Sequence, residues 1–508
     1  MKRLRVVLIK PSKYGIDGSV DRFKKGFMPN ATLYHIAALT PAHIGNVPVT
    51  IHTVDEYVHQ DLEYLRLLRH DPDFITVVAL VGVQSHQFHR ALDLAAYARH
   101  HGARHCIIGG PHPMTCDTTP LQGRGVSFAL AEAELIWGQI LEDALEGELR
   151  PVYGAERRWA EQLSSVVIDP PSRTDVGRYW MPMLGLYPVR GCPYKCNYCS
   201  VIKISGRQVR SIDLDSTLES LRRARRAGVE MIMFVSDNFN KFPGVRELLA
   251  AMIDERLNLR FFCQCDAQIA KDPELVELLG RANCYEMFVG IESFNRKTLK
   301  AAGKHHNQPE HYAEIVRLCN GAGIRAHFSN IIGFPGDDKS AIEHHLDVLK
   351  TLRPKAASFY IFTPIPGTEQ YDDFRREGLI TEQNLDRFDT SCVTWAISDL
   401  PRHYIEDMLY QCYVRYYGYL LRDRGLSDED KRGAIFMRYT AGQRMHPMAG
   451  GIDKLRIDTI ENYADLRRVT YDIDLAPLPD SLALSMHDNN LNRRADWRRQ
   501  PIPIHASL

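Results

Sequence analysis

The sequence predicts an α/β protein built from two sheet units and a mainly helical carboxy-terminal region. Three observations predict this. Short apolar runs alternate with amphipathic stretches up to about residue 385. Glycine or proline closes most of those runs, as expected of strands buried on both faces. Beyond residue 386 the alternation stops and a tyrosine-rich stretch takes over. At 508 residues the chain is too long for a single core.

In residues 1–150 the candidate strands are RVVLIKP, ending at Pro11, VTIHTVDE (49–56), FITVVALVGV (74–83) and HCIIGGPH (105–112). Between the last two, Phe88, Leu92, Ala95 and Ala96 recur at helical spacing, with Gly102 as the stop. AEAELIWGQILEDALEG is a further helix. Strand, helix, strand at this spacing predicts a doubly wound, Rossmann-like parallel sheet that takes ligands at the carboxyl ends of its strands. Residues 151–183, with Pro170, Pro171 and Pro182, read as a linker lying against both neighbours.

Residues 184–385 carry six candidate strands, LGLYPV (184–189), MIMFVS (231–236), RFFCQCD (260–266), EMFVGIE (286–292), AHFSNIIGF (326–334) and ASFYIFTPI (357–365), separated by helical stretches. This predicts a partial (β/α)6 TIM-type barrel whose active end lies at the strand carboxyl ends. Residues 386–508 are expected to close the open end and shape the substrate site. Tyr410, Tyr413, Tyr416, Tyr417 and Tyr419 suit a packed helix better than an aromatic substrate box. Cys392 and Cys412 read as buried small residues.

Lys+Arg and Asp+Glu both number 63, so nothing draws nucleic acid or an anionic membrane from a distance. Arg493, Arg494, Arg498 and Arg499 read as a solvated tail. The start lacks the apolar core of a signal peptide, and ITVVALVGV is far shorter than the roughly 20 residues of a membrane span. A cytoplasmic protein is expected, and there clustered cysteines indicate metal or redox chemistry rather than disulfides.

RGCPYKCNYCS (190–200) places Cys192, Cys196 and Cys199 directly after the first barrel strand. A zinc site would want a fourth Cys or His nearby, and the next histidine is His305. Three thiolates without a fourth suit an iron–sulfur cluster with one iron left open to a small molecule.

Cys-x-x-x-Cys-x-aromatic-Cys, with Tyr198 as the aromatic, resembles the signature of the radical S-adenosylmethionine (SAM) superfamily. The resemblance implies a [4Fe-4S] cluster on the three cysteines and SAM on its open iron. It also implies SAM contacts from Tyr198, from Asp237 and Asn238 in FVSDNFN, from Glu292 and Ser293 in GIESFNRKTLKAAGK, and from Ile332 and Gly333 in NIIGFPGDD. Taken singly, each has a plainer reading. Asp237 and Asn238 could cap a helix, Gly333 could serve a turn, and Glu292 could belong to an ion pair. TPIPGTEQYDDF resembles the sixth-strand ending of one subfamily. The third-strand segment, CQCDAQIA, departs from relatives that carry arginine there. Cys263 and Cys265 face one side of that strand and read as core.

The amino-terminal unit resembles the cobalamin-binding domain of one subfamily, through VTIHTVDE, VGVQSHQFHRAL, IIGGPHP and FALAEAELIWGQIL. Cobalamin contacts are implied at Gly82, Gly109 and Gly110, where missing side chains admit a bulky ligand, and at Glu132 and Glu134. Alanines stand where relatives carry glycine in the Ala131–Glu134 segment, which leaves a degenerate, ligand-free domain as an alternative. No Asp-x-His-x-x-Gly stretch is present, so a histidine from that motif does not ligate cobalt. His86, His89 and His112 read as ordinary loop or packing residues.

Together the two units imply methylation of an unactivated carbon in a small natural-product, lipid or pigment precursor, through a 5′-deoxyadenosyl radical and methylcobalamin. The alternatives are radical rearrangement, cyclisation or another group transfer and, from a different class, a non-catalytic cobalamin or iron–sulfur sensor. A flavodoxin or ferredoxin is the implied electron donor. No nucleic acid partner and no membrane span are expected.

Overall fold

The computed structural model describes residues 3–15, 20–59, 63–382, 384–397 and 400–445; the basic residues expected to form a tail lie outside them. The amino-terminal sheet has, in chain order, β1 (Arg3–Lys10), β2 (His43–Ile44), β3 (Val47–Asp55), β4 (Phe74–Leu80), β5 (His105–Gly109), β6 (Ser127–Ala129) and β7 (Val152–Tyr153). They are arranged β2-β3-β1-β4-β5-β6-β7, parallel except for the β2–β3 hairpin. Alternate residues of β1 feed two cores. Leu4, Val6 and Leu8 face the helices Ala31–Leu39 and Ala133–Glu146, while Val7 and Ile9 face the helix Phe88–His100. The two short strands β6 and β7 had no apolar run long enough to mark them in the sequence.

The second unit holds β8 (Met183–Leu186), β9 (Val189–Arg190), β10 (Arg210–Ser211), β11 (Met231–Phe234), β12 (Arg260–Cys265), β13 (Cys284–Glu292), β14 (Arg325–Ile332) and β15 (Ala356–Ile361). Six form a parallel sheet in the order β15-β14-β13-β12-β11-β8, a partial barrel with β8 and β15 as its edges. The expected single strand 184–189 is two. β8 stops at Leu186, Pro188 has no N–H to donate, and β9 leaves to pair with β10. Cys263 and Cys265 are buried in the barrel's outer core, as the strand periodicity predicts.

The tyrosine-rich helix, Arg402–Leu420, seals the β15 edge. Tyr413 Oη accepts from Phe359 N (3.0 Å) and donates to Phe359 O (3.3 Å). Tyr417 Oη accepts from Ala357 N (2.9 Å) and donates to Ala357 O (2.7 Å). Four helical residues rise about 6 Å and two strand residues about 6.6 Å, so tyrosines four apart meet strand residues two apart. Side-chain hydroxyls thus fill hydrogen bonds that a further strand would otherwise take. Tyr417→Phe strands a buried N–H and C=O and is expected to cost about 1–3 kcal/mol in urea unfolding.

The carboxy-terminal region divides between the two ends of the barrel. Trp395 Nε1 donates to Phe362 O (3.1 Å), next to the mouth. The helix Asp428–Met445 lies at the opposite end, because Arg260 and Arg325, which begin β12 and β14, pair with its Glu429 and Asp430. That helix therefore lies beside the strand starts and away from the strand carboxyl ends. The units also interlock. Tyr371, Leu385 and Phe388 belong to the amino-terminal core, His89 Nδ1 lies 3.2 Å from Asp386, and Lys13 pairs with Asp389. In the other direction, the first helix reaches the barrel. A Cβ on Gly185 of β8 would lie 2.5 Å from Ala31 Cβ.

Candidate active site

The cysteine loop is pinned from two sides. Gly191 has φ +101°, and a Cβ there would lie 2.1 Å from Gln208 O, so only glycine fits beneath the β9–β10 hairpin. Cys192 N donates to Gly206 O (3.2 Å). On the far side Asn197 donates to Ala302 O and Ala301 O, and a Cβ on Gly303 would lie 2.5 Å from Lys195 O. Cys196 is buried; Cys192 and Cys199 are partly exposed. Among the described residues no three His, Cys, Asp or Glu side chains converge on a single metal ion. A cuboidal cluster does not ask this of them, since each thiolate binds its own iron. Burial pushes the Cys196 thiol up to about 11 and Cys199 to about 12, with Lys304 acting in the opposite direction. Burial also raises Cys192.

Asp237 and Asn238 follow β11 and meet this loop. Asp237 Oδ2 accepts from Gly191 N (2.7 Å), and Asn238 Nδ2 donates to Cys192 Sγ (3.1 Å). Burial raises the Asp237 pKa. Glu292 ends β13 at φ +63°, just after a break in strand register, so its carboxylate turns inward. There it accepts from Lys304 Nζ (2.9 Å) and Ser329 Oγ (3.0 Å). Burial works against the Lys304 charge, yet Glu292, Tyr198 and Cys196 hold its pKa well above the usual lysine range. Tyr198 lies edge-on to Phe334 and Phe362. Gly333 takes φ +75° just beyond β14. Ser293 and Ile332 do not share a cavity wall with Asp237. They line a second cavity of about 260 Å³ with Asp337 and His345.

The larger cavity, about 270 Å³, joins the two sheets. Gly82, Gly109, Gly110, Glu132 and Glu134 line it from one unit, and Arg190, Ser236, Asp237 and Gln264 from the other. Gly82 lies where β4 and β1 end side by side and the winding reverses, with Lys10 Nζ donating to its carbonyl. Gly110 has φ +130°, and a Cβ there would lie 2.2 Å from Val83 N. The two glutamates reach the cavity with their oxygens already engaged. Glu132 takes Arg210 on both oxygens (2.6 and 2.8 Å). Glu134 takes His35 (2.8 Å) and Arg190 (2.9 Å). Burial would raise the Glu134 pKa, but His35 and Arg190 hold it well below the usual carboxylate range. Both acids therefore tie the first unit to the hairpin that carries the cysteine loop. His86, His89 and His112 do not line the cavity; His35 does. Sequence reasoning passed over Lys304, Ser329, His35, Arg190 and Arg210. Only Lys304 had a signal, being the last residue of the GIESFNRKTLKAAGK segment.

Residues 186–349 match the family model of the radical SAM superfamily. These residues form a radical SAM domain within the chain. Its whole fold resembles the solved cobalamin-dependent SAM radical enzyme OxsB with aqua-cobalamin bound, at TM-score 0.60 and 16% identity over 98% of this chain and 84% of that one. The likeness is one of fold: the chain shares the two-unit architecture of that structure. Bacteriochlorophyllide d C-12(1)-methyltransferase of Chlorobaculum tepidum is 26% identical over 56% of this chain and 62% of its own length. Bacteriochlorophyllide d C-8(2)-methyltransferase of the same organism is 25% identical over 70% and 79%. The chain thus spans less than two thirds of the first of these relatives. Among the described residues no helix is long and apolar enough to cross a membrane.

Proposed function

We propose that the protein is a cobalamin-dependent radical SAM methyltransferase acting on an unactivated carbon of a small natural-product, lipid or pigment precursor. The relatives' names favour a pigment. The observation that carries this reading is the shared cavity, whose walls include both Asp237 beside the cysteine loop and the three glycines of the first sheet.

The residues fit the implied groups. Cys192, Cys196 and Cys199 would hold a [4Fe-4S] cluster. Tyr198, Asp237, Asn238, Glu292, Ser293, Ile332 and Gly333 would bind SAM, and Gly82, Gly109 and Gly110 would seat cobalamin. A corrin of cobalamin's size would fill the cavity and project from it. When bound, the cluster supplies the electron that cleaves SAM and cobalamin supplies the methyl carrier. The chain's own work is placement and shielding. Lys304 keeps a positive charge beside the thiolates and orients Glu292. Asp237 fixes the start of the cysteine loop through Gly191 N. Glu132 and Glu134 hold the two units in register, and Ile36, Ile107, Ile136 and Trp137 keep water from the cavity. The reading also calls for a small one-electron donor such as flavodoxin or ferredoxin, no nucleic acid, and a reducing compartment such as the cytoplasm.

The test is product mass after anaerobic reconstitution, assayed on bacteriochlorophyllide-type pigment precursors. A gain of one methylene unit, dependent on added cobalamin, is expected. Deoxyadenosine release with no such gain would reject methyl transfer.

A further inference from the structure

The outer side of the cysteine loop is a cationic, aromatic strip on a chain whose charges balance overall. Three cations meet three consecutive loop residues. Arg207, exposed just before β10, donates from Nη2 to Pro193 O (2.9 Å). Lys241 Nζ lies 5.9 Å from the centre of the Tyr194 ring. Lys195 comes next, its side chain 62% exposed. Two acids temper this charge. Glu369 pairs with Lys195 (3.4 Å), and Asp266, its own side chain 3% exposed, pairs with Lys241 (3.6 Å). Aromatic rings run along the same strip. Tyr194 stacks on His306 with ring centres 3.5 Å apart. Trp159, 39% exposed, lies against Gly206, where a Cβ would come within 3.3 Å of its ring. Tryptophan, tyrosine and arginine are the residue types that most often anchor a protein interface.

We infer that this strip is the docking surface for an acidic one-electron carrier protein. The inference rests on the proposed radical chemistry, which needs an electron from outside, and adds where the donor sits. Position supports it. Gly206 O takes Cys192 N (3.2 Å), and Lys195 immediately precedes Cys196, so a protein seated here touches the loop that carries the thiols. The loop's other side faces the interior, where Asn238 and Lys304 are buried. Charge supports it as well. An acidic face on the carrier complements the strip, speeds encounter and sets orientation. Electron-transfer encounters use small interfaces, so a few cations around two or three aromatic anchors match their scale. Nucleic acid is the rival occupant of a basic, aromatic surface. The carboxylate of Glu369 on the strip and the neutral chain oppose it. In the docked pair the carrier gives up one electron and the cluster on Cys192, Cys196 and Cys199 takes it; no atom is transferred.

The experiment measures binding of an oxidised, acidic flavodoxin to the full, cluster-reconstituted chain by calorimetry, with a ferredoxin in parallel. SAM cleavage is followed separately with reduced flavodoxin and with dithionite, which needs no docking. Lys195→Glu is expected to weaken binding about fivefold, and Lys195→Glu with Arg207→Glu about twentyfold, with a shallower dependence on ionic strength. Trp159→Ala is expected to weaken binding about tenfold. With dithionite, Lys195→Glu and Trp159→Ala are expected to release deoxyadenosine at the wild-type rate and to keep the iron–sulfur absorbance, which excludes a folding defect. Arg225→Gln, exposed on the helix Leu214–Arg226 where it leads into the start of β11, is expected to change nothing. Wild-type affinity in both Lys195→Glu and Trp159→Ala overturns the inference. So does an equal loss in Arg225→Gln, failure of the wild-type chain to bind either carrier, or transfer RNA that displaces the carrier and loses affinity in the same variants. Each of these leaves the methyl-transfer reading standing. That reading fails instead if dithionite yields no deoxyadenosine from the wild-type chain.

Discussion

Replacing any one of Cys192, Cys196 and Cys199 by alanine is expected to abolish both the iron–sulfur absorbance and the reductive cleavage of SAM. The three thiols cannot substitute for one another. The loop is clamped at Gly191 by the hairpin and at Asn197 by the Ala301–Gly303 backbone, so no neighbouring group can swing into a vacated place. The other cysteines are no reserve. Cys263, Cys265, Cys284 and Cys319 sit in the outer core of the barrel. The unloaded thiols also predict how the cluster assembles. With Cys196 near 11 and Cys199 near 12, neutral solution holds them protonated, and binding iron must release their protons. Reconstitution at fixed iron and sulfide should quicken with pH from 7 to 9, up to about tenfold per unit where deprotonation limits. Measured rates that do not change with pH would show that the thiols are already ionised. Retention of the cluster by an alanine variant would remove the basis of the enzyme reading.

Much of this site was legible because its parts are local in the chain. Three cysteines in eight positions need no tertiary knowledge to be read as a ligand set. The strand ends at Gly109–Gly110 and Ile332–Gly333 are marked by glycines, and the structure places Gly110 and Gly333 at positive φ. What escaped was long-range. Glu132 and Glu134 stand in the expected segment, but their partners Arg210, Arg190 and His35 lie 78, 56 and 99 positions away. A carboxylate in a ligand-binding segment and a carboxylate in an interdomain clamp look alike until those partners are known. The reach of the first core across the chain escaped for a related reason. Leu385 and Phe388 have no periodic pattern of their own, yet they complete the core of the first sheet. The tyrosine helix shows the opposite case. Its spacing was read as packing, and the hydroxyls that seal β15 gave no separate signal. Edge protection depends on which strand lies alongside, and only the fold decides that.

A steep loss of stability is expected as the ligand-free protein is taken from pH 7 to pH 5. His112 and His345 are buried, and burial pushes each pKa down to about 3. Both are held as neutral rings, His112 Nδ1 3.0 Å from Ser85 Oγ and His345 Nε2 2.9 Å from Asn330 Oδ1. In the unfolded chain each titrates near 6.5. Between pH 6.5 and about 3 the unfolded state therefore binds more protons than the folded one, and stability falls as pH falls. At pH 5 the difference is roughly 2 kcal/mol for each histidine, or about 4 kcal/mol for the pair. That is a large fraction of the 5–15 kcal/mol typical of a folded domain. Glu134 and Asp389, both held below the usual carboxylate range by their partners, add loss in the same direction at lower pH. Urea midpoints at pH 7.5 and pH 5.0 measure the effect. His345→Gln keeps a donor for Asn330 and cannot charge, so it should be less stable than wild type at pH 7.5 yet lose roughly 2 kcal/mol less on acidification. An equal loss in wild type and variant would show that His345 is not held neutral by its surroundings.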